Sequence, residues 1–176
     1  MRYKNEELYQ IPDKIKNFPK LKILRQEKDL GPLMKILPAI EFLRDRKKEP
    51  NAIVISIDDD TAYPAGMIGQ IVKEMSFHPN SSVGASAPNI DMWKLEEKIW
   101  PKNSSQLILE GFGGIGYKVK NTDTEIMKKI VLESMEQGDK SCYLSDDLVI
   151  NYVLSKRGID KQIINRKQIF WVCPLI

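Results

Sequence analysis

Ile53-Val54-Ile55-Ser56-Ile57-Asp58-Asp59-Asp60 is an apolar, β-branched run that stops at three consecutive acids. A run of this length and type reads as a strand buried on both faces of a sheet. Three carboxylates at its end repel one another unless a cation or hydrogen-bond donors hold them. In open α/β sheets, ligands bind outside the carboxyl ends of the strands. The stretch therefore predicts a divalent-metal site at the mouth of a parallel sheet.

The neighbouring sequence extends this reading. After the acids, Tyr63-Pro64 opens a helix whose apolar face is Ile68, Ile71, Val72 and Met75, so Met67 and Met75 belong to the core rather than to a ligand. Strand, acids, turn, helix is the order of a βα unit. Upstream, Leu21-Lys22-Ile23-Leu24-Arg25 alternates as a short strand. Pro32 is placed to begin a helix, and Leu33, Ile36, Leu37, Ile40 and Leu43 keep helical spacing, with Pro38 kinking it. Lys35 lies in the first turn of that helix. It is either a solvated lysine or a phosphate contact beside free N–H groups. Residues 1–20, with Pro12 and Pro19, form an irregular lead-in.

Downstream, Val83-Gly84-Ala85-Ser86-Ala87 reads as a strand. His78, in Phe77-His78-Pro79-Asn80, reads as an exposed loop residue. Trp93 and Trp100 suit either a sugar pocket or a partly buried surface helix. In Leu107-Ile108-Leu109-Glu110-Gly111-Phe112-Gly113-Gly114-Ile115-Gly116-Tyr117, four of the chain's ten glycines fall within six residues. Glycine permits unusual dihedral angles and close backbone approach to a ligand. No Gly-Lys-Ser/Thr ends the segment and no periodic helix follows it, so it is neither a Walker loop nor a dinucleotide fingerprint. It reads as a flexible wall against a flat polar ligand, followed by a strand at Tyr117–Lys120. Thr122-Asp123-Thr124-Glu125 reads as a capping box before Ile126, Ile130, Val131 and Met135, and Gly138 ends that helix. Ser145 fits an N-cap with Asp146 and Asp147 in the first turn. These acids either complement the helix dipole or supply a general base. Ile163-Ile164 and Ile169-Phe170-Trp171-Val172 read as closing strands.

The chain has 176 residues and a net charge of +3, which suits one domain and gives no reason to expect nucleic acid. Cys142 and Cys173 lack metal-type spacing and read as reduced structural thiols. No apolar stretch approaches the ~20 residues that span a bilayer. The expected location is the cytoplasm. The basic run Arg44, Arg46, Lys47 and Lys48 reads first as a solvated helix end, and second as peripheral contact with the inner face of a membrane.

Taken together, Asp58-Asp59-Asp60, Glu110–Tyr117 and Ser145-Asp146-Asp147 resemble three motifs of the GT-A fold nucleotide-sugar glycosyltransferases of the D-x-D type, family 2-like. These are the D-x-D motif, the Gly-rich segment of the sugar pocket and the acidic motif that supplies the base. Lys28-Asp29-Leu30-Gly31-Pro32-Leu33-Met34-Lys35 resembles a signature upstream of the D-x-D strand. The resemblance covers roughly residues 21 to 157. It implies an α/β fold with a mostly parallel central sheet flanked by helices, in a single domain over residues 1–176. The implied function is metal-dependent transfer of a sugar from a nucleotide-sugar, with a UDP-sugar first among donors, to a carbohydrate or other hydroxyl acceptor, with inversion. In that reading Asp60 coordinates Mn²⁺ or Mg²⁺ directly, and Asp58 contacts ribose or reaches the metal through water. Lys35, Asp58, Asp59, Glu110, Gly113 and Gly114 face the nucleotide-sugar, and Asp146 or Asp147 is the catalytic base. Residues 1–20 contain no apolar strand of the kind that opens this fold, so a fold truncated at the N-terminus is expected. Two other functions compete: a non-catalytic remnant that binds a carbohydrate or protein, and a haloacid-dehalogenase-like phosphohydrolase. In the latter family's D-x-D-x-T pattern, Thr61 falls one position too early.

Overall fold

β-branched side chains hold Ile53–Ser56 extended as β1, at the edge of a four-stranded sheet. The computed structural model describes residues 10–86, 107–164 and 173–174. The other strands of the sheet are β3 (Ser81–Gly84), β4 (Ile115–Lys118) and β5 (Asp160–Ile163). Their order is β1-β4-β3-β5. A two-residue strand, β2 (Thr61–Ala62), pairs antiparallel with β6 (Cys173–Pro174).

The sheet is mixed, and this corrects the expectation of a mostly parallel one. β4 runs antiparallel to both of its neighbours, and only β3 and β5 are parallel. The cause is the path of the chain. After β3 it returns beside itself, with Glu110 N–H donating to Ser86 O at 2.9 Å and Ala85 N–H donating to Gly114 O at 3.1 Å. It therefore enters β4 in the reverse direction, between β1 and β3.

Helices cover both faces. On one side α3 (Met67–Phe77) packs Met67, Ile71 and Met75 against Val83, Ala85 and Ile164, with Ile53 and Ile55 beside them. On the other side, α2 (Leu37–Glu41), α4 (Thr124–Glu136), the single turn α5 (Ser141–Leu144) and α6 (Asp146–Lys156) enclose Val54 and Tyr117. β1 thus alternates between two cores, as its unbroken apolar run predicts. Gly116 lies opposite both Ile55 and Val83. A Cβ there would stand 2.6 Å from Ile71 Cγ2 and from Met75 Sδ, so glycine lets α3 sit against the sheet. The buried stripe of α3 is Met67, Ile71 and Met75, while Ile68 and Val72 face solvent. Met67 and Met75 are core residues, as expected.

Several local expectations shift. Leu21–Arg25 is in no strand. It runs over the surface, where Lys22 Nζ stands 4.0 Å above the Phe42 ring. The helix expected from Pro32 onward is broken into a 3₁₀ turn, Gly31–Lys35, and α2, because Pro38 has no N–H to continue the ladder. α2 runs on into a π-helical turn, Phe42–Lys47, whose basic last turn is the solvated helix end expected there. The cap of α4 is Asp123, one residue later than the box reading. Its carboxylate accepts from Ile126 N–H at 3.1 Å. Gly138, at φ +78°, ends α4: its N–H donates to Met135 O, and Asp139 N–H donates to Ser134 O. Among the described residues of the lead-in there is one helical turn, α1 (Asp13–Lys16), with no buried residue. Trp93, Trp100 and Ile169–Val172 lie outside the described residues.

Candidate active site

Five chain segments meet beyond the end of β1. Asp58 follows the strand directly, and its N–H donates to Tyr63 Oη at 2.7 Å. Tyr63 Oη in turn donates to Phe112 O at 3.0 Å, which ties the acid-bearing end of β1 to the glycine segment. From the 3₁₀ turn Gly31–Lys35, Lys35 Nζ reaches Asp58 Oδ1 at 3.1 Å and Asp146 Oδ2 at 2.9 Å. Asp147, beside Asp146 at the start of α6, accepts Gly111 N–H on both oxygens, at 3.0 and 3.1 Å.

The cluster rests on a fixed support. Asn151 lies one turn after Asp147 on α6 and is buried. Its Nδ2 donates to Leu109 O at 2.9 Å and to Asp147 O at 2.7 Å, and its Oδ1 accepts Leu109 N–H at 2.8 Å. The glycine segment is thereby clamped to the helix that carries the two acids. Glycine at 111 leaves room for the end of Lys35 and for Asp147. A Cβ would stand 2.6 Å from Lys35 Nζ and 3.0 Å from Asp147 Oδ1.

The electrostatics follow from burial and charge. Asp147 is pushed up to about 6, first by burial and then by the like charges of Asp146 and Asp58; the Gly111 N–H and Lys35 oppose the rise. Burial works to lower Lys35, but its hydrogen bonds and attraction to Asp146 and Asp58 outweigh that, so it is held above the usual lysine range. Tyr117 is fully buried in the core, and its phenol is raised by burial, so it stays protonated.

The expected residues fall into three groups. Asp58, Asp146, Asp147 and Lys35 are brought together. Lys35 is neither solvated nor at a helix start: it ends its 3₁₀ turn and is the counter-charge of two carboxylates. Glu110 lies next to the cluster, with Oε2 accepting Ser86 Oγ at 2.6 Å. Asp59 and Asp60 are exposed beyond the strand. Gly113 and Gly114 back onto protein: Cβ atoms there would meet Ser86 and Met67. Tyr63, Gly111 and Asn151 were missed by sequence reasoning. Asn151 leaves a sequence signal, a polar residue one helical turn after an acid on a face that must be buried. His78 stays outside the site, 3.3 Å from Glu74 and well exposed.

Among the described residues, no group of three or more His, Cys, Asp and Glu side chains is placed to hold a metal. Asp58 Oδ1 already carries Lys35, whereas Asp60 presents an exposed carboxylate at the strand end. That donor set fits a hard cation of the Mg²⁺ type, which binds through one or two carboxylates together with substrate phosphates rather than in an all-protein cage. No family model matches the chain, and neither a curated protein nor a solved structure matches it.

Proposed function

We propose that the chain is a metal-dependent glycosyltransferase of GT-A type, moving a sugar from a nucleotide-sugar to a hydroxyl acceptor with inversion. The observation that carries this reading is Asp147. It lies across the cluster from the acid-tipped β1, its pKa is about 6, and it is fixed by a backbone N–H of the glycine segment. A base tuned toward the working pH is the efficient choice for accepting a proton from a hydroxyl. Asp147 accepts that proton as the acceptor oxygen bonds to the anomeric carbon and the bond to the diphosphate oxygen breaks. Asp60 is the residue that would hold Mg²⁺ or Mn²⁺, and the cation, when bound, supplies Lewis-acid neutralisation of the leaving diphosphate. Lys35 is paired with Asp146, which leaves Asp147 as the base.

Titration calorimetry of UDP-sugars with and without Mn²⁺ tests this. Metal-dependent binding that Asp60→Asn removes, without loss of fold, supports it. Absence of such binding at millimolar ligand overturns it. Binding without transfer to any acceptor indicates a carbohydrate-binding remnant, and phosphate-ester turnover abolished by Asp58→Asn indicates a phosphohydrolase.

A further inference from the structure

We propose that the surface formed by residues 12–23 and the basic turn beside it docks on an anionic lipid bilayer. The inference stands apart from the catalytic reading. Every residue from 12 to 23 is exposed. Four of them are large and apolar: Ile15 is 45% exposed, Phe18 64%, Leu21 48% and Ile23 37%. The four lie within nine residues of sequence, and exposed apolar surface concentrated in one segment marks an interaction site.

The charges select the partner. Lysines alternate with these apolar residues: Lys14 and Lys16 flank Ile15, Lys20 follows Phe18, and Lys22 separates Leu21 from Ile23. Asp13, paired with Lys16 at 2.9 Å, is the one acid in the segment. Lys22 Nζ also anchors the segment on the Phe42 ring at 4.0 Å, and Lys47 Nζ stands 5.9 Å from the same ring. The basic turn is thus continuous with the lysine-apolar segment. A second copy of the chain would place lysine against lysine. A nucleic acid would satisfy the lysines but leave Ile15, Phe18, Leu21 and Ile23 in water. A bilayer with anionic headgroups meets both requirements, with cations at the phosphates and apolar side chains at the acyl boundary.

Cosedimentation of the whole chain with vesicles tests the proposal. One set contains phosphatidylglycerol mixed with phosphatidylcholine, and the other is phosphatidylcholine alone. Binding to the first set only, weakened by salt, is expected. Lys14→Gln with Lys20→Gln should lower the partition coefficient roughly 25-fold, at about five-fold per lysine. Phe18→Ser should lower it further. These positions contribute nothing to either core, so thermal melts of the variants should match the parent. No binding, equal binding to both vesicle types, or binding indifferent to the lysine changes overturns the proposal. So does a dimer in sedimentation velocity that Phe18→Ser abolishes, because it assigns the same surface to a second copy.

Discussion

Asp147→Asn separates the proton-accepting role proposed for Asp147 from its structural role. Asparagine keeps the shape and one acceptor oxygen for Gly111 N–H, but it carries no charge at any pH. In the parent, a shift from 3.8 to about 6 corresponds to about 3 kcal/mol, at about 1.4 kcal/mol per pKa unit. Solvent screening at this partly open carboxylate reduces the figure to about 2 kcal/mol. The folded value lies above the unfolded one, so folding disfavours the ionised form. The penalty is absent below about pH 4, grows between about pH 4 and 6, and is complete above about pH 6. The variant escapes it. Relative to the parent, Asp147→Asn should gain about 2 kcal/mol between pH 4 and pH 7, or about 4–8 °C in Tm for a chain of this size. Urea titrations of both proteins at half-unit pH steps measure the gap directly. In the same variant, transfer activity should vanish while donor binding persists. A gap that stays constant from pH 4 to 7, or that closes as pH rises, refutes the account of Asp147 as a buried, destabilised base.

Lys35→Met removes the cation from Asp58 and from Asp146, whose side chain is only 10% exposed. It should cost about 2–4 kcal/mol, read as a lower urea midpoint. Lys35 is held above 10.5, so its contribution is fully present below that pH, and the deficit should be constant across neutral pH. Asn151→Leu strips the partners from the N–H and C=O of Leu109. It should cost about 2–4 kcal/mol, with an unchanged urea slope if the fold is otherwise kept. Gly111→Ala sets a methyl group against the end of Lys35. Because that end is flexible, the loss of stability should stay near 1–2 kcal/mol. Displacing the cation should move the acidic limb of any activity profile to higher pH, and a profile identical to the parent's counts against the contact.

The elements that the sequence discloses are those with dense local signals. β1 is legible because β-branched residues fill both faces, and α4 because its cap and apolar spacing agree to within one residue; α6 starts after Ser145 as expected, although the Ser145 side chain makes no cap hydrogen bond. The stripe of α3 is displaced by one residue, since Ile68 and Val72 are as apolar as the methionines and only packing chooses between them. Strand direction was not legible. Ile115–Lys118 has the same composition whether its neighbours run parallel or antiparallel, and its direction depends on the return of residues 107–114 beside β3. Leu21–Arg25 alternates like a strand, yet local alternation cannot supply a neighbour to pair with. Within the site, the acids and glycines were visible as types. The partners of Lys35 were not, because Asp58 and Asp146 lie 23 and 111 residues further along and only the tertiary fold joins them.

That placement of Lys35 links the two halves of the proposed chemistry. One ammonium among Asp58, Asp146 and Asp147 leaves the cluster short of positive charge. The shortfall falls on Asp147, because Lys35 contacts the other two directly and reaches Asp147 only through its field. A cation in direct contact with Asp147 would make it a poor proton acceptor. With no cation near, burial would keep it protonated at neutral pH. An intermediate value near 6 keeps it ionised at neutral pH while it remains basic enough to accept a proton. Burial thus sets the direction of the Asp147 shift, and Lys35, held by the other two carboxylates, limits how far it goes.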